Sequence, residues 1–359
     1  MGMYGACSDI EDRMGMIDYK IDVFPRLFHF KKPAGTSRGM YTERRSWYVR
    51  VSSAACPGRE GWGECAPLPQ LSVDDLPDYE SVLRGICAEV ARTGQVDTER
   101  WREYPSMLFG VETALRHFGQ GTYALWDTSF SRGEEGICIN GLIWMGDHDA
   151  MYRQIREKLE AGFRCVKLKI GAIGFEEELD LLRFIRRHFP AREVELRVDA
   201  NGAFAPAEAL DKLKRLAELD LHSIEQPIRA GQWDEMAGLV SVSPLPVAFD
   251  EELIGHCSLE AKQRLLDALH PQYIVLKPSL HGGFSGCREW IEEAEKRNVG
   301  WWITSALESN VGLNAIAQWC ATWHTRMPQG LGTGMLFTDN VPMPLEIRKD
   351  CLWYVADGD

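Results

Sequence analysis

No two of the ten cysteines are spaced C-x-x-C, and none recurs at a metal-binding interval, so the chain carries no redox or zinc motif built from them. Several, Cys165 and Cys320 among them, lie inside apolar runs and read as reduced core residues of a cytosolic protein. No apolar stretch approaches the roughly 20 residues of a membrane span, and the opening MGMYGACSDIEDR lacks the apolar centre of a signal peptide. Gly2 makes no myristoylation signal, because Ala6 stands where that pattern needs a hydroxyl residue. A basic excess is missing too. The net charge of −13 excludes nucleic acid and anionic membranes as expected partners, while excess acid by itself is ordinary solubility. The oligomeric state is not legible in the sequence.

What is present is size and apolar content. The 359 residues exceed a plain (β/α)8 barrel of roughly 250 by about one small domain, and 45% hydrophobic residues suffice for large cores. Residues 16–53 alternate as strands do, in IDYKIDVF, LFHFKK and SWYVRVSS, broken by an expected flexible loop at Pro33 to Gly39. A second loop is expected from Gly61 to Ser72, GWGECAPLPQLS, either as a packed connection or as a lid. Helical spacing then dominates from Val73 to Phe130, giving an α+β first lobe. From Ile137 the pattern becomes strand and helix in alternation. Counting the Ile137 strand and a short QGLGTG strand near Gly330, the barrel reaches eight strands. The expected architecture is α/β: a (β/α)8 barrel over 134–338 with an α+β capping domain over 1–133, completed by the tail 339–359, whose PLEIRKDCLWYV reads as a strand returning to the first lobe.

Within the barrel, VKLKI, VELRVDAN, SIEQP, VAFDEE and YIVLKPS each carry a charge at or near the strand end. From Lys169 through Asp199, Glu225 and Asp250 to Lys277 the intervals are 30, 26, 25 and 27 residues, one strand plus one covering helix each. Strand C-termini meet at one mouth of such a barrel, so the three carboxylates and the lysines converge on one space. One acid at a strand end is usually a cap or a surface group. Three in consecutive units form a hard-oxygen set suited to Mg²⁺, with Mn²⁺ as the alternative, and without His or Cys they do not suit Zn²⁺. Because VKLKI alternates, Lys167 and Lys169 point to one side of their strand. Lys167 is placed to tune Lys169 toward a general base, and Lys277, four strands further on, faces them across the ring. Ion pairing with the carboxylates alone is the plainer role for these amines.

KLKIG, RVDANGAF, SIEQP, FDEEL and VLKPSLHGG, with GWGECAPLP in the first lobe, resemble the enolase superfamily and its muconate-lactonizing subgroup over nearly the whole chain. Lys or His bases with Mg²⁺ are a known pattern of that superfamily. The resemblance implies an enolase-like modified TIM barrel, Asp199, Glu225 and Asp250 as metal ligands, Lys167 and Lys169 as the K-x-K pair, and Lys277 as the opposing lysine. The seventh-strand WWITSALES lacks the histidine of the mandelate racemase subgroup. Within the subgroup, RVDAN with Arg197 and Asn201, TSALESNVGL with Ser305, Glu308 and Ser309, and GLGTGMLFTDN with Thr333 are similar to the o-succinylbenzoate synthase family. That resemblance implies a metal-assisted syn dehydration in menaquinone biosynthesis, through an enediolate, of a small carboxylate bound by those six residues. Dipeptide epimerases of the subgroup hold an ammonium with D-x-D at the eighth strand, where this chain has Gly332, Thr333 and Gly334. N-acylamino acid racemisation and, despite the missing acids, dipeptide epimerisation are the alternative enzymatic expectations, and a barrel that only binds or scaffolds is the non-enzymatic one.

Overall fold

The computed structural model describes residues 18–36 and 39–355. The first lobe is built on a sheet ordered β1-β2-β3, from β1 (Tyr19–Thr36), β2 (Gly39–Ser53) and β3 (Glu60–Cys65). The loop expected at Pro33 to Gly39 is mostly strand: Ala34 pairs with Tyr41 and Thr36 with Gly39, and the expected turn at Ser37 and Arg38 lies outside the described residues. Pro33 is accommodated because β1 is an edge strand and the register shifts between His29 and Ala34, where the missing N–H leaves no ladder bond unmade. Likewise Gly61 to Cys65, expected as loop, belongs to β3, and only the stretch after it is irregular. Helices α1 (Tyr79–Thr93) and α2 (Pro105–Gln120) cover this sheet. Glycine is needed where β3 meets α2, since a Cβ on Gly63 would stand 1.9 Å from the Gly110 carbonyl oxygen.

After β4 (Ile137–Cys138), the strands β5 (Gly141–Ile143), β6 (Cys165–Lys169), β7 (Glu195–Asp199), β8 (Ser223–Glu225), β9 (Val247–Phe249), β10 (Tyr273–Leu276) and β11 (Gly300–Ile303) form one sheet in sequence order, every pair parallel. The eighth position is filled by Gln329 and Gly330, whose single bridges to Ile139 and Thr304 join the two edges. Helices α3 (His148–Glu160), α4 (Phe175–His188), α5 (Pro206–Ala217), α6 (Trp233–Val242), α7 (Leu259–Leu269), α8 (Gly283–Lys296) and α9 (Asn310–Cys320) follow the strands. The alternation in β6 resolves as expected: Val166, Leu168 and Ile170 join the apolar cluster beneath the helices, whereas Lys167 and Lys169 bond carboxylates inside the ring. Among the described residues no helix is long and apolar enough to cross a membrane.

The tail departs from expectation. Residues 336–338 do run along the first lobe, with Lys31 N donating to Leu336 O at 2.8 Å and Thr338 N to His29 O at 2.9 Å. The strands beyond them do not. The hairpin β12 (Leu345–Arg348) and β13 (Cys351–Tyr354) pairs with β4, in the order β12-β13-β4, and so closes on the barrel instead of completing the capping sheet. Burial is the physical reason, because Leu352 and Tyr354 enter the barrel's apolar cluster beside Phe130.

Glu112 of α2 joins the two lobes by accepting from Phe284 N at 2.7 Å and Ser285 Oγ at 2.8 Å in the first turn of α8. Burial pushes its carboxyl up to about 7, against these hydrogen bonds, which favour the charged form. The folded protein therefore holds this proton at pH values where the unfolded chain has released it. Stability from this group is full below about pH 4.5 and is lost as pH rises through about 7. Urea unfolding of Glu112→Gln should show a flatter pH dependence than the parent, with the variant gaining up to about 3 kcal/mol relative to it by pH 8. Parallel profiles would show that the carboxyl is not held back by burial.

Candidate active site

The register of the barrel strands sets the charged residues level with one another. Lys169 pairs with Asp199 across β6 and β7, and Asp199 with Glu225 across β7 and β8. Asp250 follows β9 and Lys277 follows β10 at the same mouth. Lys167 Nζ lies 3.2 Å from Asp199 Oδ2 and 2.8 Å from Glu225 Oε2, and Lys169 Nζ lies 3.3 Å from Asp199 Oδ2. Lys277 Nζ is bonded to Asp250 Oδ2. All three lysines open into one pocket with Asp199 and Glu225 between them.

Burial governs the charges here. Asp199, Glu225 and Asp250 are each no more than 2% exposed. Burial pushes Glu225 up to about 8, reinforced by Asp199 and opposed by Lys167, and it raises Asp250 as well, against Lys277. For Asp199 the burial penalty is outweighed by Lys169 and Lys167, which hold the carboxyl below its usual range. Burial likewise works against Lys167 and Lys277, yet Glu225 and Asp199 beside the first and Asp250 beside the second keep both amines above the ordinary lysine value.

Two buried oxygens, Glu225 Oε1 and Asp250 Oδ1, have no protein partner. Buried carboxylate oxygens rarely go unpaired, and these belong to an all-oxygen donor set whose acids press against one another. Such a set fits a hard divalent cation that takes the free oxygens.

Positive φ angles at Asn201 (44°) and Gln226 (40°) mark the sharp turns out of β7 and β8. Asn201 is a residue type tolerant of that region. Its backbone N–H donates to Asp199 Oδ1 at 3.0 Å, its Oδ1 accepts from Lys169 Nζ at 2.7 Å, and its Nδ2 donates to Glu251 Oε1 at 3.0 Å. Gln226 went unremarked in the sequence, although its Oε1 accepts from Asp250 N at 3.3 Å and Glu252 N at 3.2 Å and so fixes the turn that presents Asp250. Trp144, at the end of the first barrel strand, was also missed. Its ring lies 5.9 Å from Lys169 Nζ and forms an apolar wall with Leu68, Leu71, Leu142 and Leu307. Asn140, Glu251, Thr304 and Ala306 are further unforeseen lining residues, and Gly35 comes from the loop expected at Pro33 to Gly39. Glu251 had a visible signal, since it follows Asp250 directly in FDEEL.

Of the six residues expected to bind substrate, Asn201, Ser305 and Thr333 line the pocket, the last two joined by a hydroxyl hydrogen bond of 2.6 Å. The other three are corrections. Arg197 points toward the closed end of the barrel, where Nε donates to Glu195 Oε1 at 2.7 Å and Nη1 to Pro328 O at 3.0 Å, over the Trp302 ring. Glu308 and Ser309 are fully buried and turn away from the pocket. Glu308 accepts from Ser279 Oγ and from Ala306 N at 2.7 Å. Ser309 caps α9 through Val311 N at 3.3 Å, donates to Glu64 Oε2 and accepts from Tyr48 Oη at 2.6 Å.

These bonds continue into the first lobe. Glu64 of β3 also accepts from Ser309 N at 3.0 Å and Gly312 N at 3.1 Å. Arg44 of β2 donates to the carbonyls of Ala66 and Ala306, so one guanidinium ties the loop carrying Leu68 and Leu71 to the loop carrying Ser305 and Leu307. Burial opposes its charge, and Glu308 and Glu64 support it. Arg44→Ala should destabilise the fold by about 3–5 kcal/mol in urea unfolding, by leaving buried acids without their cation. A loss below about 1 kcal/mol would reduce the network to surface-like pairing.

Residues 150–353 match the family model described as Enolase C-terminal domain-like, and residues 36–118 match the MenC N-terminal domain. The chain is 47% identical over 353 residues to an o-succinylbenzoate synthase of Desulfotalea psychrophila, covering 89% of this chain and 94% of that one. The crystal structure of MenC from the same organism superposes with a TM-score of 0.79 at 41% identity, covering 94% of this chain and 99% of the other. A dipeptide epimerase from Cytophaga hutchinsonii, solved with Mg and a dipeptide, superposes with a TM-score of 0.73 at 19% identity over 94% of this chain and 92% of its own, a likeness of fold.

Proposed function

The chain belongs to the o-succinylbenzoate synthase family of the enolase superfamily and is a carbon–oxygen lyase of menaquinone biosynthesis, and from that premise we propose how its residues perform the dehydration. The substrate is 2-succinyl-6-hydroxy-2,4-cyclohexadiene-1-carboxylate and the product o-succinylbenzoate. Lys169 takes the proton from the ring carbon that bears the carboxylate. The neighbouring hydroxyl then leaves from the same face, Lys169 returns the proton to it, and the ring becomes aromatic. Lys277, across the pocket, stays protonated; it stabilises the developing enediolate by its charge and contacts the ring face. Lys167 and Asn201 hold the Lys169 amine in place through Asp199 and directly.

Asp199, Glu225 and Asp250 would hold Mg²⁺, which neutralises the second negative charge on the substrate carboxylate when bound. Trp144, Leu142 and the leucines of residues 66–72 exclude water from the ring, a lid role for that loop. Ser305 and Thr333 offer hydroxyls to the polar ends of the substrate. The nine described cysteines are free, which supports a reducing, cytoplasmic setting.

The observation that carries this reading is the set of lysines from strands four apart opening into one pocket with the buried acids between them. Lysines on both faces are also what a racemase needs, so N-acylamino acid racemisation is the second reading. Lys169→Ala should lower kcat for dehydration by at least about a thousandfold while Mg²⁺ binding by calorimetry is kept, and Lys277→Ala should lower kcat severely as well. Substantial kcat in Lys169→Ala would remove the proposed base. Chelation should abolish turnover, and Asp250→Asn should weaken Mg²⁺ binding; full activity after chelation would show that no cation is needed.

A further inference from the structure

At the end of the barrel remote from the mouth, the C-terminal hairpin brings two sulfurs together. Cys351 of β13 stands directly opposite Cys138 of β4, and their Sγ atoms are 3.6 Å apart. Opposed residues of an antiparallel pair have Cα atoms about 4.5–5.5 Å apart, inside the span of about 4.4–6.8 Å that a disulfide bridges. Both thiols are partly exposed, whereas Cys65, Cys87, Cys165, Cys287 and Cys320 are buried. Cys138 also lines a cavity of about 470 Å³ between Phe130, Ile137, His324 and Met327.

We propose that Cys138 and Cys351 form a redox modification site, at which a low-molecular-weight disulfide converts the two thiols into an intrachain disulfide that locks the C-terminal hairpin to the strand entering the barrel. The Cys138 thiolate attacks one sulfur of the small disulfide; that S–S bond breaks, the first small thiol leaves with the proton, and a mixed disulfide forms. Cys351 then attacks the Cys138 sulfur, expelling the second small thiol. Two protein thiols are oxidised and one small disulfide is reduced to two thiols.

The surroundings suit this order of events. The Arg164 guanidinium, held 3.0 Å from Asp350, lies within electrostatic reach of both sulfurs. Burial first, then the neighbouring Cys138 thiol, and then Asp350, whose Oδ1 accepts from the Cys351 thiol, push Cys351 up to about 12; of these only the Cys138 contribution vanishes once Cys138 is bound in the mixed disulfide. The bond would join residues 213 apart in sequence, removing freedom from the unfolded chain while leaving the mouth untouched.

The test uses the full chain with Mg²⁺ and oxidised glutathione. Intact mass should fall by two hydrogens, peptide mapping should place the bond between Cys138 and Cys351, and Tm should rise and return with dithiothreitol, with kcat unchanged. Cys351→Ser should stop at one glutathionyl group on Cys138 and show no rise in Tm. A parent chain that stays at the mixed disulfide, a bond mapped to another partner such as Cys320, or a Cys351→Ser variant that still loses two hydrogens would each overturn the proposal. Mapping on the parent alone decides the matter should the serine variant fold poorly.

Discussion

Everything at the mouth of this barrel depends on balancing buried charge. Three buried acids that repel one another cannot all ionise in a water-poor space unless cations compensate them, and burial, with Asp199 beside it, lifts Glu225 to about 8. Three lysines from the same ring of strands supply the compensation. The compensation is incomplete, since Glu225 Oε1 and Asp250 Oδ1 keep no partner. Such a donor set suits a divalent cation, and the proposed role of the amines rests on that fit. Parallel pairing makes this attainable, because Lys169, Asp199 and Glu225 occupy matched positions on neighbouring strands and need only short reaches to meet.

The first lobe is attached by the same economy of buried charge. Arg44 of the hairpin holds carbonyls from two pocket loops, while Glu64 of β3 receives the N-terminus of α9 through Ser309 and Gly312. The loops that enclose the ligand are therefore fixed by residues that never face it. This explains how the relation between lobe and barrel can shape the pocket without adding charge to it: the first lobe presents Gly35, Leu68 and Leu71, and the proposed catalytic groups all come from the barrel.

The two kinds of residue differ in how far they can be recognised along the chain. The metal-type acids and the lysines stand at the ends of apolar runs one βα unit apart, and strand direction alone carries such ends to a common mouth. Alternation in VKLKI likewise fixed which side Lys167 and Lys169 face. Glu308 and Ser309 sit in an equally suggestive position after the seventh strand, yet the structure turns them inward. Nothing local separates a seryl helix cap from a ligand contact, and their partners Arg44, Tyr48 and Glu64 lie more than 240 residues earlier. Arg197 shows the same ambiguity of layer: it faces into the barrel two residues before Asp199, and only the barrel's depth places it below the pocket, beside Pro328.

Local pattern by itself determined the barrel, the convergence of its six charged groups and the class of chemistry they support, because periodicity and strand polarity act over a few residues and do not depend on what packs outside. Tertiary structure alone decided which polar residues reach the ligand and where the tail ends. Leu352 and Tyr354 could bury their surface against either lobe, and the choice of β4 rested on the apolar cluster waiting beside Phe130. That choice is also what sets Cys351 against Cys138, a pairing that no spacing in the sequence announces, since contacts between distant segments are selected by the burial they complete and not by the residues that flank them.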